Sequence, residues 1–343
     1  ALSELRTIKG LCMRSGNKLF FVISACLMLL SVSSANANYI EHEKAKSFID
    51  MMVSKHGFES AKLAEIFSQA EKKDSILKAI ARPAEKRLEW KGYRKIFLTD
   101  DRIKKGLAFI EENRESLNRA QEKYGVPVHV IAAIIGVETR YGRNKGSYRV
   151  VDALSTLAFD YPPRSKFFTK ELEQVFLLSK EQGFAALDLK GSYAGAMGYG
   201  QFIPSSYRHY AVDFDGDKVA DILNNATDAV GSVANYFKMH KWSEGQPVAF
   251  QLEKSDLGEG YQELVHKKLK PSHMVADFEA HGLRLPAGLD KNMPAKLQIL
   301  QGATGEEYWL TLRNFYVITR YNHSHLYAMA VYQLSEALKL GMN

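Results

Sequence analysis

The sequence predicts an α+β fold that is mostly helical, and three observations lead to this prediction. Apolar residues repeat at helical spacing through residues 41–125. Residues 245–313 instead contain short runs in which apolar and polar residues alternate, which is typical of strands. A helical pattern returns at 328–340. We therefore expect a small β-rich insertion within a helical protein.

The composition is that of an ordinary globular protein. Of the 343 residues, 46% are hydrophobic and 25% are charged, which excludes a disordered, collagenous or coiled-coil chain. Lys and Arg outnumber Asp and Glu by only 46 to 39. Proteins that bind nucleic acid usually show clustered basic stripes, so no nucleic-acid partner is expected. The sequence contains no glycine-rich phosphate loop, nucleotide fingerprint or histidine-based zinc motif.

Residues 1–37 have the pattern of a leader with a signal peptide. Arg14 and Lys18 precede an apolar run at 19–32, which is shorter than a transmembrane helix requires. The segment 35–37, Ala-Asn-Ala, then offers a small-residue cleavage site. This pattern predicts export to the periplasm with cleavage near Ala37.

The leader also contains both cysteines of the chain, Cys12 and Cys26. Cleavage near Ala37 would leave no thiol, and this excludes disulfide frameworks, thiolate zinc sites and cysteine nucleophiles. The residues before Cys26, Ile-Ser-Ala, resemble a lipobox. The alternative to a soluble periplasmic protein is therefore an outer-membrane lipoprotein anchored at Cys26.

The leader is followed by a predicted helical domain at 38–125. Phe48, Ile49, Met52 and Val53 repeat at helical spacing, and Gly57 can end that helix. Residues 126–244 mix helices with long loops. The loop at 193–204 has three glycines, which indicates a close approach of the backbone to another group.

One carboxylate in the segment 126–244 is placed for chemistry. Pro127 can occupy the first turn of a helix, and the residues after it are almost all apolar up to Glu138. Burial and the negative end of the helix dipole both raise the pKa of a carboxyl group at that end. A raised pKa suits a general acid. Spacing alone leaves open a structural ion pair from Glu138 to Arg140 or Arg143.

Residues 213–221 alternate carboxylates as an EF-hand loop does. Asp213, Asp215, Asp217 and Asp221 stand at the first, third, fifth and ninth positions, and Val219 would supply a backbone oxygen at the seventh. Two departures from that pattern are Lys218 where a glycine is expected and Asn224 where a glutamate normally closes the loop. Asp228 is the candidate to close a longer loop. The alternative is an Asp-rich surface turn without metal.

Four motifs resemble those of the membrane-bound lytic transglycosylase B family, glycoside hydrolase family 103. Trp90, Tyr93 and Arg94 match upstream of them, so the resemblance covers nearly the whole chain after the leader. The motifs are GVETRYG at 136–142, AGAMGYGQFIPSS at 194–206, GSVANY at 231–236, and RYN at 320–322 with YAMA at 327–330.

The resemblance implies a lysozyme-like core at 126–244, the β-rich insertion at 245–313, and a return to the core at 314–343. It implies a lytic transglycosylase that cleaves the β-1,4 bond between N-acetylmuramic acid and N-acetylglucosamine and forms 1,6-anhydromuramic acid ends. Glu138 would act as acid and then as base. No cofactor would be needed for this chemistry, and calcium in the acidic loop would be structural.

The resemblance also implies a set of contacts with the partner, the glycan strands of peptidoglycan. Gln201 would bond an N-acetyl group or position Glu138, and tyrosines would offer ring faces and hydroxyl groups to the sugars. The implied substrate-binding residues are Ser192, Gln201, Tyr236, Tyr321, Asn322, Tyr327 and Arg164.

Two other functions remain open at this point. A hydrolytic muramidase would need a second carboxylate, for which Asp152 and Asp160 are candidates, although Asp152 is expected to cap a helix that starts at Ala153. A non-catalytic peptidoglycan-binding protein is the alternative from another class. The sequence leaves open a lipid anchor to the outer membrane and other cell-wall enzymes as partners.

Overall fold

The computed structural model describes residues 38–81 and 88–342, and the predicted leader lies outside this range. The helices before the predicted core are α1 (Glu43–His56), α2 (Ser60–Gln69), α3 (Asp74–Ile80), α4 (Trp90–Phe97), α5 (Asp100–Glu112) and α6 (Arg114–Tyr124). Those that follow are α7 (Val128–Thr139), α8 (Val150–Asp160), α9 (Ser165–Gln182), α10 (Pro204–Tyr210), α11 (Ala226–Met239), α12 (Val275–Ala280), α13 (Arg313–Tyr321) and α14 (His325–Gly341).

The strands form two antiparallel sheets. The first pairs β1 (Tyr148–Arg149) with β2 (Lys190–Gly191). The second has the order β3-β6-β5-β4 and consists of β3 (Ala249–Leu252), β4 (His273–Met274), β5 (Pro294–Gln301) and β6 (Glu306–Thr311). This second sheet lies within the segment 245–313, where alternation predicted strands. The α+β, mostly helical fold is confirmed.

The described residues, 38–81 and 88–342, form one compact unit with three apolar clusters. α1, α2 and α3 pack with α8 and α9, whereas α4, α5 and α6 pack with α7, α11 and α14. The segment 38–125 therefore shares two cores with the rest of the chain, because its helices bury their apolar faces on different partners. A third cluster lies between the large sheet and α12.

Helix α7 lies at the centre of the cluster to which α4, α5, α6, α11 and α14 also contribute. Ten of its residues are buried, including Ile131, Ile134 and Ile135, which are fully inaccessible to solvent. Each such side chain contributes about 1.5–3 kcal/mol through burial. Pro127 is the residue just before the helix and has extended backbone angles. An apolar helix of this kind fixes the position of whatever follows its last turn.

None of the helices within residues 38–81 and 88–342 is long and apolar enough to cross a membrane.

Candidate active site

The last turn of α7 holds Glu138 beside a sharp change of chain direction. Arg140, Tyr141 and Gly142 all have left-handed backbone angles, with φ of 51°, 60° and 81°. The Thr139 hydroxyl lies 2.9 Å from the Tyr199 carbonyl oxygen and accepts from the Gly142 N–H at 2.9 Å. This turn ends the helix directly after Glu138 and ties it to the glycine-rich loop at 193–204.

Gly142 is required at this turn by its neighbours. A Cβ atom there would lie 2.1 Å from a ring carbon of Tyr199, and φ is already in the region that side chains disfavour. The predicted close approach of the loop at 193–204 therefore occurs against the end of α7. The loop glycine Gly200 gives a second case, since its added Cβ would lie 2.6 Å from the Tyr321 hydroxyl.

Glu138 is half-buried and receives one strong hydrogen bond. The Tyr327 hydroxyl, on α14, donates to Glu138 Oε1 at 2.5 Å. Burial raises the pKa of Glu138 to about 7, and the Tyr327 hydrogen bond lowers it in part. Burial, and then the charge of Glu138, raise the pKa values of Tyr93 and Tyr321. A carboxyl group with this pKa can give up and take back a proton near neutral pH.

Glu138 acts without a nearby carboxylate or cation in the part of the chain that the structure describes. Its pKa is set by burial and Tyr327, and it forms no ion pair there with Arg140 or Arg143. The ion-pair alternative left open by the spacing is therefore not seen. A lone carboxyl group of raised pKa is suited to proton transfer rather than to a structural pair.

The two candidates for a second carboxylate are engaged elsewhere. Asp152 is buried, accepts from Arg149 Nε at 2.9 Å and accepts from the Glu71 N–H at 2.9 Å. The expectation that it caps a helix starting at Ala153 is wrong, because α8 begins at Val150 and Asp152 lies inside its first turn. Asp160 accepts from the Tyr39 hydroxyl at 2.6 Å.

Tyr236 and Tyr321 form an aromatic cluster beside the glycine-rich loop. Their ring centroids lie 4.7 Å apart. The Tyr321 hydroxyl donates to the Gly200 carbonyl at 2.6 Å, and the Tyr236 hydroxyl donates to the Arg320 carbonyl at 2.5 Å. Both hydroxyls therefore use their hydrogen within the protein, and a sugar could only donate to their lone pairs. The predicted sugar contact stays a prediction. The two tyrosines hold α11, α13 and the loop together.

A cavity of about 250 Å³ opens beside this cluster. The Gln201 side-chain amide donates to the carbonyls of Lys145 at 3.1 Å and Gly198 at 3.0 Å, so its Oε1 is the atom left to accept from a ligand. The structure thus brings three predicted substrate-binding residues to one cavity. Its lining consists of Gln201, Phe202, Ile203, Ser206, Tyr236, Arg320, Tyr321 and His323.

Three other predicted substrate-binding residues have different surroundings. The Ser192 hydroxyl accepts from the N–H groups of Ala194 and Ala196 at 3.3 and 3.1 Å, so it shapes the start of the glycine-rich loop. Asn322 is exposed just after α13. Arg164 lies over the ring of Phe167, with its guanidinium carbon 4.2 Å from the ring centroid. These contacts do not join the three residues to Glu138.

Sequence reasoning missed several residues of this site. Tyr93 belongs to the match upstream of the motifs, and Thr139 lies within the first motif. Burial and then the charge of Glu138 raise the pKa of Tyr93, and the Thr139 hydroxyl fixes the turn after Glu138. His323 directly follows the RYN motif and lines the cavity. Neither the residue type nor the spacing of these three residues indicates a site. Only their position within or next to the family motifs could have identified them.

The acidic loop forms a separate cluster between α10 and α11. Oxygen atoms from four aspartates lie within 4.8 Å of one another, and these are Asp213, Asp215, Asp217 and Asp228. Oxygen ligands about 2.3–2.6 Å from a calcium ion would lie within about this distance of each other. The donor set is therefore suited to a hard divalent cation. Asp228 joins the group from the first turn of α11, and its role as the closing ligand of a longer loop stays a prediction.

One predicted ligand lies outside this cluster, whereas the predicted departure at Lys218 is present. Asp221 is outside the cluster, because its Oδ1 accepts from the N–H groups of Leu223 and Asn224 at 2.9 and 3.0 Å. Lys218 does occupy the turn normally made by glycine, with φ of 78°. Its N–H donates to Asp213 Oδ2 at 2.8 Å, which offsets part of the strain. Val219 stays the predicted source of a backbone oxygen for the cation.

Comparisons with known proteins identify the relatives of this chain. The family model described as the transglycosylase SLT domain matches residues 41–336. The membrane-bound lytic murein transglycosylase B of Escherichia coli (strain K12) is 43% identical over 319 residues, which cover 90% of this chain and 86% of that protein.

Solved structures resemble the fold closely. The soluble lytic transglycosylase SltB1 from Pseudomonas aeruginosa is 48% identical, with a TM-score of 0.84, over 87% of this chain and 99% of that one. The Escherichia coli lytic transglycosylase Slt35 in complex with calcium is 44% identical, with a TM-score of 0.80, over 89% and 96%. SltB3 from Pseudomonas aeruginosa in complex with NAG-anhNAM-pentapeptide is 30% identical, with a TM-score of 0.78, over 86% and 78%. The predicted lysozyme-like core agrees with these matches.

Proposed function

The chain belongs to the family of the transglycosylase SLT domain, and from this premise we propose that it is a peptidoglycan lytic transglycosylase that forms 1,6-anhydromuramic acid ends. The single observation that supports this most is the state of Glu138. It is a lone, half-buried carboxyl group with a pKa of about 7 and a phenol donor at 2.5 Å. A reaction that uses one carboxyl group twice needs a proton that leaves and returns easily near neutral pH.

The mechanism begins with Glu138 in its protonated form. It donates its proton to the glycosidic oxygen between N-acetylmuramic acid and N-acetylglucosamine, and the bond from that oxygen to C1 of the muramic acid breaks. The Tyr327 hydrogen bond to Oε1 stabilises the carboxylate that is left. Hydrogen bonds to a charged group are stronger than those to a neutral group, so this contact assists the release of the proton from Glu138.

The second half restores the enzyme. The Glu138 carboxylate accepts the proton of the muramic acid 6-hydroxyl while that oxygen forms a bond to C1. The product is a 1,6-anhydro ring, Glu138 is protonated again, and no water is consumed. A hydrolase of the two-carboxylate type would need a second carboxyl group about 5–10 Å away. The engagement of Asp152 and Asp160 with other groups favours the one-carboxylate route.

The glycan would lie across the end of α7 and along the cavity lined by Gln201, Tyr236 and Tyr321. Gln201 Oε1 can accept from an N-acetyl N–H, and the ring faces can contact sugar carbons. Tyr327 serves Glu138 rather than a sugar. Ser192, Asn322 and Arg164 remain predicted glycan or peptide contacts, of which Asn322 is exposed and free to turn toward a strand.

We further propose that Asp213, Asp215, Asp217 and Asp228 hold a structural calcium ion. A relative in this family has been solved with calcium, and the four carboxylates present the oxygen ligands that calcium prefers. The ion would fix the start of α11, the helix that carries Tyr236. The sugar chemistry itself needs no metal in this scheme.

The working location proposed for this enzyme is the periplasm, either free after cleavage near Ala37 or anchored to the outer membrane at Cys26. The membrane-bound relative favours an anchor. Labelling of the expressed chain with a palmitate analogue tests this, because a lipoprotein incorporates the label and Cys26→Ser abolishes it.

Mass spectrometry of the soluble products from purified peptidoglycan tests the function. Muropeptides that end in 1,6-anhydromuramic acid, lighter by one water than reducing ends, are the expected result. Reducing ends would instead establish a hydrolytic muramidase. Tight binding to the cell-wall sacculus without any product would indicate the non-catalytic peptidoglycan-binding protein.

A further inference from the structure

A small cavity lies where the end of α4, the start of α5 and the turn after α7 meet. Its volume is about 70 Å³, and its charged lining residues are Asp101, Arg102, Lys105 and Arg140. Pockets for organic ligands usually measure about 300–1,000 Å³, whereas a water molecule needs only about 10–15 Å³. The cavity therefore has room for a small ion but not for a sugar residue of the glycan.

Arg102 is a buried cation that leaves most of its donors unused. The residue is 5% exposed. Of the five N–H groups of its guanidinium, one donates to the Gly136 carbonyl oxygen at 3.0 Å, and the others have no partner within residues 38–81 and 88–342. The Phe97 ring, whose centroid is 5.0 Å from the guanidinium carbon, compensates the charge only in part. A buried charge without a counter-ion is costly, so this arrangement favours the binding of an anion.

A second arginine adds to the positive charge. Arg140 is exposed, lines the cavity and forms no ion pair in the part of the chain that the structure describes. Burial, and then the charge of Arg140, lower the pKa of Arg102, so the two guanidinium groups are close enough to repel each other. An anion that contacts both arginines would offset this repulsion.

The one carboxylate of the lining is already paired. Lys105 Nζ donates to Asp101 Oδ2 at 2.5 Å. This hydrogen bond is the main cause that lowers the pKa of Asp101, and the charges of Arg143 and Arg140 add to it. Asp100, the other acidic residue in the first turn of α5, does not line the cavity. Three cations against one carboxylate leave the lining with a net charge of +2.

The donors approach the cavity from several directions. Arg102 and Lys105 come from α5, and Arg140 comes from the turn after α7. The Thr99 hydroxyl, which also lines the cavity, accepts from the Arg102 backbone N–H at 3.2 Å and keeps its own O–H to donate. A planar carboxylate offers two oxygen atoms. A phosphate group offers at least three around a tetrahedral centre and carries a charge of about −1.5 to −2, which matches this lining better.

We propose that this cavity binds a phosphate group through Arg102, Arg140, Lys105 and the Thr99 hydroxyl. The source of the group is either a free phosphate ion or the headgroup of a phospholipid, for which Ile96 provides an exposed apolar residue at the cavity. The bound group ties α5 to the end of α7, because Arg102 already binds a carbonyl in the last turn of that helix. The site does not depend on the proposed function.

Thermal melting of the full chain in inorganic phosphate tests the proposal. EGTA removes metal from the acidic loop, and sodium chloride keeps the ionic strength equal. We expect Tm to rise with phosphate, by about 5 °C at about 100 times the dissociation constant, and to change little in acetate. Arg102→Gln would also lose the Gly136 contact, so the exposed Arg140 is the residue to change. Arg140→Gln should weaken phosphate binding about tenfold, because it removes a charge-assisted hydrogen bond.

Arg114→Gln is the matched control, because it removes the same charge beyond the other end of α5, where Arg114 forms an exposed ion pair with Glu111. It should keep the affinity for phosphate. A Tm that does not respond to phosphate, an equal response to acetate, or equal losses in the two variants would each overturn the phosphate site. None of these outcomes bears on the proposed lytic reaction.

Sedimentation with vesicles distinguishes the two sources of the phosphate group. The probes are vesicles of phosphatidylcholine with and without phosphatidic acid, whose headgroup is a phosphate monoester. Sedimentation that requires phosphatidic acid, and that Arg140→Gln reduces more than Arg114→Gln does, would support the lipid headgroup. A phosphate-dependent rise in Tm without such sedimentation would support the free ion. Absence of both effects overturns the site.

Discussion

Glu138 and the acidic loop hold carboxylates in opposite surroundings. Glu138 stands alone at the end of an apolar helix, and burial raises its pKa to about 7. In the loop, four carboxylates lie within 4.8 Å of one another and accept hydrogen bonds from backbone N–H groups, such as that of Gly216 to Asp213. An amide hydrogen bond from Asn225 is the main cause that lowers the pKa of Asp215.

The difference shows how surroundings assign a role to one chemical group. A carboxyl group with apolar neighbours and a single donor exchanges its proton at working pH. A carboxylate that accepts amide hydrogen bonds, as Asp215 does, is stabilised in its charged form and can attract a cation. Asp228 lies between the two cases, since burial raises its pKa while the N–H groups of Phe214 and Asp221 lower it. The following predictions test this contrast, from the largest expected effect to the smallest.

Glu138→Gln should abolish lysis while folding and glycan binding persist. The amide keeps the shape of the side chain but cannot donate and recover the proton, and general acid–base groups account for about 10²–10⁴ in rate. The rate of anhydro-product release should fall by at least about 10³-fold. Circular dichroism and binding to the sacculus provide the controls. Appreciable remaining activity would show that another residue is the acid.

The same substitution should change the pH dependence of stability. The pKa of Glu138 is raised from about 4.5 to about 7 in the folded state, so its stabilising effect is complete below pH 4.5 and is lost as pH rises to 7. Glu138→Gln should therefore gain up to about 3 kcal/mol relative to the parent between pH 4.5 and pH 7. Urea unfolding at both pH values measures this. A constant difference would mean an unshifted pKa.

Asp215→Ala should lower thermal stability in calcium but not in chelator. Binding at about 100 times the dissociation constant stabilises a protein by about 2.7 kcal/mol. For a chain of this size, loss of that binding should lower Tm by about 5 °C. Calorimetric scans with calcium and with EGTA measure the effect.

Asp221→Asn is the matched control for the loop, because Asp221 lies outside the cluster and accepts from local backbone N–H groups. It should keep the calcium-dependent rise in Tm. Equal melting of Asp215→Ala and the parent in both buffers would argue against a metal site. Loss of the calcium response in Asp221→Asn would restore that residue as a ligand.

Tyr327→Phe should move the pH–rate profile. The lost hydrogen bond stabilised the carboxylate form, so the pKa of Glu138 should rise further, by about 1 unit, which corresponds to about 1.4 kcal/mol. The alkaline limb of kcat/KM should therefore move to higher pH, so that above pH 7 the variant keeps a larger share of its maximal activity than the parent does. A uniform loss at every pH would indicate a merely structural contact. Tyr332→Phe, whose hydroxyl binds the Ala249 carbonyl at 3.0 Å, is the matched control on α14.

The sequence predicted the helical and β segments well where the patterns are local. The apolar run up to Glu138 predicts both α7 and the raised pKa, since burial and helix position follow from neighbours in the chain. The partner of Glu138 could not be derived in this way, because Tyr327 lies 189 residues further on. Only the family motifs pointed to it, and they implied a sugar contact rather than a hydrogen bond to the acid.

Other contacts could not be predicted for the same reason. The hydroxyls of Tyr236 and Tyr321 donate to backbone carbonyls that no residue pattern reveals. Asp221 fits the loop spacing, but the chain turns after it and its oxygen binds Leu223 and Asn224 instead.

The contact between Glu138 and Tyr327 has a consequence for the order in which the site is assembled. Closing so long a stretch of chain is entropically costly, and contacts of high sequence separation form slowly. Synthesis runs from the N-terminus, so Glu138 is made long before the helix that carries its donor. A chain cut before residue 320 would contain the acid but neither Tyr321 nor Tyr327. Glu138 therefore lacks the hydrogen bond that Tyr327 supplies until α14 has been made and has docked.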